Sequence, residues 1–210
     1  MAELFDIIDN RKTIRKYDNY TLNDDEIKRI IESARLAPSA INAQNWRFLA
    51  ILNSEIKNKM ADLILKKYDE IMEKIDPETA QNISRYKAHS AFFKDAPLLI
   101  VCLEKSAPSF MGGVLEDAGY SASEIAKMRP DSYLLSMGGA VENMILAASA
   151  LGFGSCWMVA PVLAEADFRK ILNIKDDEKI VTLLTIGKPL GDNPNRMPKK
   201  PLDEVMEIIK

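Results

Sequence analysis

The chain has 210 residues, 47% apolar and 28% charged, a balance that builds a buried core and excludes a disordered or fibrous chain. A formal net charge of −3 leaves no broad positive field for nucleic acid or an anionic membrane, so any anion must meet a local basic cluster. A single histidine, His89, two unpaired-looking cysteines, Cys102 and Cys156, and no GxSxG elbow exclude a zinc centre and a serine-type triad.

In chain order, the basic run Arg11, Lys12, Thr13 and Arg15 comes first. Asn23 with Glu26 three residues later is a capping-box signature and predicts a helix, with Ile27, Ile30, Ile31 and Ala34 on its buried face and Pro38 as the stop. Pro38 to Gln44 reads as a loop of amides and a hydroxyl, leading through Trp46 into a strand over Arg47 to Leu52. Ser54 is the expected cap of a second helix, whose apolar positions from Ile56 to Ile75 keep helical period, and a further helix is expected after Asp76-Pro77. Leu98 to Leu103 predicts a strand buried on both faces.

Between Glu104 and Pro130 the pattern weakens around Gly112, Gly113 and Gly119, which suits either a cover over a site or a surface connection. Leu134, Met137, Val141, Met144, Ile145, Ala148 and Leu151 trace a central helix ended by Gly152. Phe153 to Val159 predicts a strand, Ala164 to Leu172 a helix, and Ile180 to Ile186 a buried strand. The tail from Met197 to Lys210 starts basic and turns apolar at Leu202, Val205, Met206, Ile208 and Ile209, as if to finish on a neighbouring subunit. Helices outnumber scattered strands, so the expected class is α+β, a single domain over residues 1–210. With neither a leader-like N-terminus nor an apolar run of ~18 residues, a cytoplasmic location is expected.

Arg11-Lys12-Thr13-x-Arg15 gathers the donors that a phosphomonoester requires, although such a run is commonly a solvated face. The loop Pro38 to Gln44 suits the edge of a heteroaromatic ring, although a self-satisfied turn is the simpler account of it alone. Gly152-Phe153-Gly154 lacks the third glycine of a dinucleotide fingerprint and follows a helix, so NAD(P)H, if used, must bind transiently elsewhere. Met137, Met144 and Cys156 read as core packing.

The order of segments carries more than any one of them. Arg11-Lys12-Thr13-x-Arg15, then Ala37-Pro38-Ser39-Ala40-Ile41-Asn42-Ala43-Gln44-Asn45-Trp46-Arg47-Phe48, resembles the opening of the nitroreductase superfamily, R-R-S-x-R followed by APSxxNxQPWxF. Lys94-Asp95-Ala96-Pro97, Ala140 to Ala148 before Ala150 to Trp157, Ile186-Gly187-Lys188-Pro189 and Lys199-Lys200-Pro201-Leu202 continue the likeness in family order. The resemblance implies a three-layer α+β fold, a mixed central sheet flanked by helices, and an intertwined homodimer with FMN at its interface. It implies Arg11, Thr13 and Arg15 near the phosphate and ribityl chain, Lys12 near the pyrimidine edge, and Lys199 near the phosphate. Pro38, Ser39, Ala40, Asn42 and Gln44 would reach the flavin from the partner. Trp157, Met158, Val159 and Ala160 would flank the isoalloxazine, the Val159 backbone N–H pointing at N5. The implied activity is hydride transfer from NAD(P)H to a small oxidised acceptor, a nitroaromatic or quinone, by a ping-pong cycle without a metal.

Departures from the pattern are Lys12, Thr13, Asn45, which is expected to loosen its loop, Lys188 and Lys199. The rivals are a reductive dehalogenase of iodotyrosine type or a flavin-destroying enzyme, with residues 104–130 as lid and Glu116, Tyr120 and Lys127 unpatterned in it, and a non-enzymatic flavin carrier.

Overall fold

The computed structural model describes residues 4–106, 109–191 and 198–210, so Met197 at the start of the tail lies outside the described residues. Four strands, β1 (Trp46–Ile51), β2 (Leu98–Lys105), β3 (Gly154–Met158) and β4 (Glu178–Gly187), form one sheet in the order β1-β2-β4-β3. Every strand pair is antiparallel. Among the described residues the parallel component expected of a mixed sheet is confined to an isolated bridge between Thr13 and Ser155, because the segment then turns to pair Tyr17 with Pro189 beyond β4 instead of continuing along β3.

Side-chain alternation on the two central strands makes the layers. Leu98, Ile100 and Cys102 point into one core, while Leu99, Val101 and Leu103 point into the other. The first core is closed by α2 (Asp24–Arg35) and α7 (Ser132–Ala150), and the second by α3 (Ser54–Met72) and α8 (Glu165–Leu172). A bulge opposite Cys102 and Leu103 lets β4 keep Ile180 and Leu183 in the second core and Leu184 and Ile186 in the first. Phe93 and Phe168 meet edge to face in the second core, ring centroids 6.5 Å apart. Burying each such Leu, Ile or Phe contributes about 1.5–3 kcal/mol, which is why this sheet is the rigid base for everything at its edge.

Helix starts follow local chemistry. The Asn23 side chain accepts from the Asp25 and Glu26 N–H groups, and Glu26 accepts from the Asn23 N–H, closing the capping box of α2. Asn53, one residue before the expected Ser54, caps α3 by accepting from the Ile56 N–H at 3.1 Å, since its amide oxygen reaches the third amide of the turn. Asp76 caps α4 (Pro77–Ser90), with Pro77 in the first turn where its missing N–H costs nothing. Gly152 ends α7 at φ +80°, a left-handed turn. The weak stretch before Pro130 contains two short helices, α5 (Phe110–Asp117) and α6 (Ala122–Met128), with Gly112 and Gly113 inside the first and not between elements. A short helix α1 (Leu4–Asn10) precedes the basic run.

Along α7 the inner face is buried as expected, but Leu134 and Leu151 are exposed, as is Leu135 at 64%. A helix apolar nearly all round implies cover on both sides, and the described residues supply cover on one. Among the described residues no helix is long and apolar enough to cross a membrane.

Candidate functional site

The basic run is fixed to the outer edge of β3. Ile14 N–H donates to the Ser155 carbonyl at 2.8 Å, Asp18 N–H to Lys188 and Leu190 N–H to Lys16. Ile14 is buried against Gly154, where a Cβ would lie 2.3 Å from Ile14 Cγ1, so only glycine admits this approach. The Tyr17 hydroxyl donates to the Ile14 carbonyl at 2.6 Å and lies 2.7 Å from Thr185 Oγ1. Burial pushes the Tyr17 phenol up, so it stays a neutral tether.

That docking separates the basic side chains. Arg15 opens into a cleft of about 710 Å³ together with Cys156, Trp157, Met158, Val159 and Ala160. Arg11 and Lys12 open instead into a neighbouring recess of about 330 Å³, lined also by Ile14, Ser149 and Gly152 to Ser155. The cation lining the cleft with Val159 is therefore Arg15 and not Lys12: past Lys12 the segment alternates, Lys12 and Ile14 facing the smaller recess and Arg15 the cleft. Thr13 is bridged to Ser155 and lines neither recess.

The wall of the cleft is the end of β3. Trp157 Nε1 donates to Thr182 Oγ1 at 2.7 Å, and the Thr182 hydroxyl donates to the Met158 carbonyl at 2.8 Å, which fixes a half-exposed indole. The β3–β4 ladder ends at Met158, so the Val159 backbone lies beyond the last strand pair, the residue 63% exposed. Burial raises the Cys156 thiol, partly offset by Arg15, which agrees with a packing role.

Pro38, Ser39, Ala40, Asn42 and Gln44 line neither recess. Their loop is strained: Ile41, Asn42 and Gln44 have φ of 50°, 55° and 45°, each costing about 1–2 kcal/mol for a residue with a Cβ. Side chains over-determine it, with Gln44 N–H donating to Ser39 Oγ at 3.1 Å and Ala40 N–H to Ser136 Oγ at 3.0 Å. Ile41 projects from it, 84% exposed. Lys199 is exposed and outside both recesses. Among the described residues no group of three or more His, Cys, Asp or Glu is arranged to hold a metal ion.

A sequence profile described as the nitroreductase family matches residues 8–188. The chain belongs to the nitroreductase family. A BluB-like flavoprotein from Clostridium difficile 630 shares its fold with a TM-score of 0.91 and 30% identity, over 100% of both chains. An iodotyrosine deiodinase from Thermotoga neapolitana is 26% identical over 98% of this chain and 97% of its own. A nitroreductase from Bacteroides fragilis, solved with bound FMN, has the same fold with a TM-score of 0.72 at 20% identity over 100% of both chains.

Two departures from the nitroreductase pattern now have physical roles. Asn45 does not loosen its loop: it is buried, its Nδ2 donates to the Lys105 carbonyl at 3.1 Å, and its own carbonyl accepts from Lys105 N–H at 2.7 Å. Lys188 places its ammonium 3.8 Å from the Tyr20 ring centroid, a cation–π contact. The cleft also has a wall that the motifs do not reveal, since Asn82, Arg85, Tyr86 and His89 of α4 line it with Phe92. The signal was their spacing of i, i+3, i+4 and i+7, one helical face, but polar residues so spaced read as a solvated surface.

Proposed function

We propose that this chain is an FMN-dependent oxidoreductase that moves hydride from NAD(P)H to a small oxidised acceptor such as a nitroaromatic or quinone. The observation that carries the reading is the cleft in which Arg15, with no carboxylate partner among the described ion pairs, stands beside the backbone beyond Met158. FMN fits this donor set, and when bound it supplies reversible hydride exchange at N5. Arg15 is assigned to the ring's N1 and C2=O edge, where positive charge favours the reduced anion, and the Val159 N–H to N5, with Trp157, Met158 and Ala160 along the ring. Arg11 and Lys12 in the smaller recess, with the neighbouring Thr13, are assigned to the ribityl phosphate, and Lys199 adds charge at longer range.

Pro38, Ser39, Ala40, Asn42 and Gln44 are assigned to the flavin of a second copy, in an intertwined homodimer. The uncovered face of α7 and the exposed Leu202, Val205, Ile208 and Ile209 support that partner. NAD(P)H and acceptor then occupy one exposed flavin face in turn, the whole of residues 1–210 acting as a single domain with 104–130 as a cover. A steady-state assay tests this: NAD(P)H oxidation should require FMN and an acceptor and give parallel-line ping-pong kinetics, whereas turnover without FMN, or none with any nitroaromatic, quinone or free flavin, contradicts it.

The deiodinase likeness favours a second reading, reductive dehalogenation under a lid. Against it, Glu116 lines a small cavity with Arg129, and Tyr120 and Lys127 line neither that cavity nor the cleft. Iodide release from iodotyrosine would reverse the ranking.

A further inference from the structure

Helix α4 closes the large cleft with a face whose chemistry a flavin alone does not use. Asn82, Arg85, Tyr86 and His89 line it, with Phe92 behind them and Trp157 opposite. On another face of the same helix Lys87 is paired with Asp69 of α3, whereas no described ion pair involves Arg85 or Arg15. The His89 Nδ1 lies 2.8 Å from the Arg85 carbonyl, which leaves Nε2 to the cleft. The cleft therefore carries two unneutralised guanidiniums amid aromatic walls. Given the flavin reading, on which this inference rests, Arg15 answers the cofactor's edge and Arg85 is surplus to it.

We propose that α4 selects the acceptor, and that the preferred class is an aromatic carboxylate. The acid binds Arg85, with Asn82 and His89 as further donors, and the ring lies against Tyr86, Phe92 and Trp157. A ring-bound carboxylate places its charge one bond from the plane, within the same cleft. The first phosphate of a pyridine dinucleotide is separated from its nicotinamide by a whole ribose, which favours the acceptor as the source of the anion.

The test uses FMN-reconstituted protein, with FMN uptake measured first. Calorimetric titration with benzoate and with benzamide, neither reducible, should show the acid bound about 10-fold or more tighter, as one charge-assisted contact implies. KM for 4-nitrobenzoate should lie below that for 4-nitrobenzamide by a similar factor. Arg85→Gln, at an exposed helical position, should erase both preferences, and Arg85→Lys should keep part of them. Equal affinity for acid and amide in the unmodified protein overturns the inference, as does an Arg85→Gln defect that is equal for both ligands. A defect seen only in flavin reduction by NAD(P)H overturns it in favour of a donor phosphate, and loss of FMN from Arg85→Gln alone overturns it in favour of a cofactor contact. Failure of the unmodified chain to take up FMN overturns the cofactor reading and this inference together, and is seen before any acceptor is added.

Discussion

Gly154→Ala tests whether the docked basic segment positions the cofactor site. The added Cβ would lie 2.3 Å from Ile14 Cγ1 and 2.6 Å from Ile14 Cβ, against a contact distance near 3.5–4 Å. Ile14 must retreat by over an ångström, and it is pinned through its own N–H to Ser155 and by Tyr17 on its carbonyl. Overpacking of this kind costs about 1–3 kcal/mol, and it shifts Thr13 and Arg15 on either side. Loss of one charge-assisted contact from Arg15 then weakens FMN binding by about 10–100-fold. Urea unfolding of the apo chain and FMN titration read the two effects separately. The double variant Gly154→Ala/Ile14→Ala removes the clash and should recover much of the FMN affinity despite a smaller core, because the two sites are coupled. A stability loss with unchanged FMN affinity would refute the claim that this segment anchors the cofactor.

Arg47→Ala removes two contacts of 2.6 Å from the fully buried Glu178 carboxylate and leaves it the Lys175 N–H at 3.3 Å, and should cost about 2–3 kcal/mol in urea unfolding, below the fully buried range because Arg47 is one-third exposed. The Arg47 contact holds the Glu178 carboxyl below its ordinary value of 4.5. Its stabilisation is thus present above pH 4.5 and lost as pH falls through the lower folded value, and the variant should show a flatter acid limb. Glu104 behaves oppositely: burial raises it, Lys179 only partly offsets this, and Oε2 has no hydrogen-bond partner. Its contribution falls as pH rises through the raised value, so Glu104→Gln should gain relative stability as pH rises above the glutamate range, and a constant difference in denaturant midpoint would contradict this. Leu135→Glu, on the uncovered face of α7, should shift sedimentation towards monomers and lower FMN occupancy, whereas a dimer with full flavin would remove that face from the interface.

The layered core was legible because alternation on Leu98 to Leu103 and helical period on Ile27 to Ala34 each have one physical solution. The capping box at Asn23 and the Asp76-Pro77 start were legible for the same local reason. The helices α5 and α6 were hidden because exposed residues such as Phe110, Met111 and Met128 break the polar-out rule on which periodicity depends. The separation of Arg15 from Lys12 was hidden because it depends on the docking of Ile14 against a glycine about 140 positions away. Arg85 and its neighbours on α4 escaped notice since only tertiary structure brings that face opposite Trp157.

The most direct test of the account is titration of the apo chain with FMN, followed by sedimentation and anaerobic addition of NADH. The account predicts one FMN per chain on a two-chain particle, bleached by NADH and recoloured by a nitroaromatic. A colourless monomer that refuses FMN would contradict it.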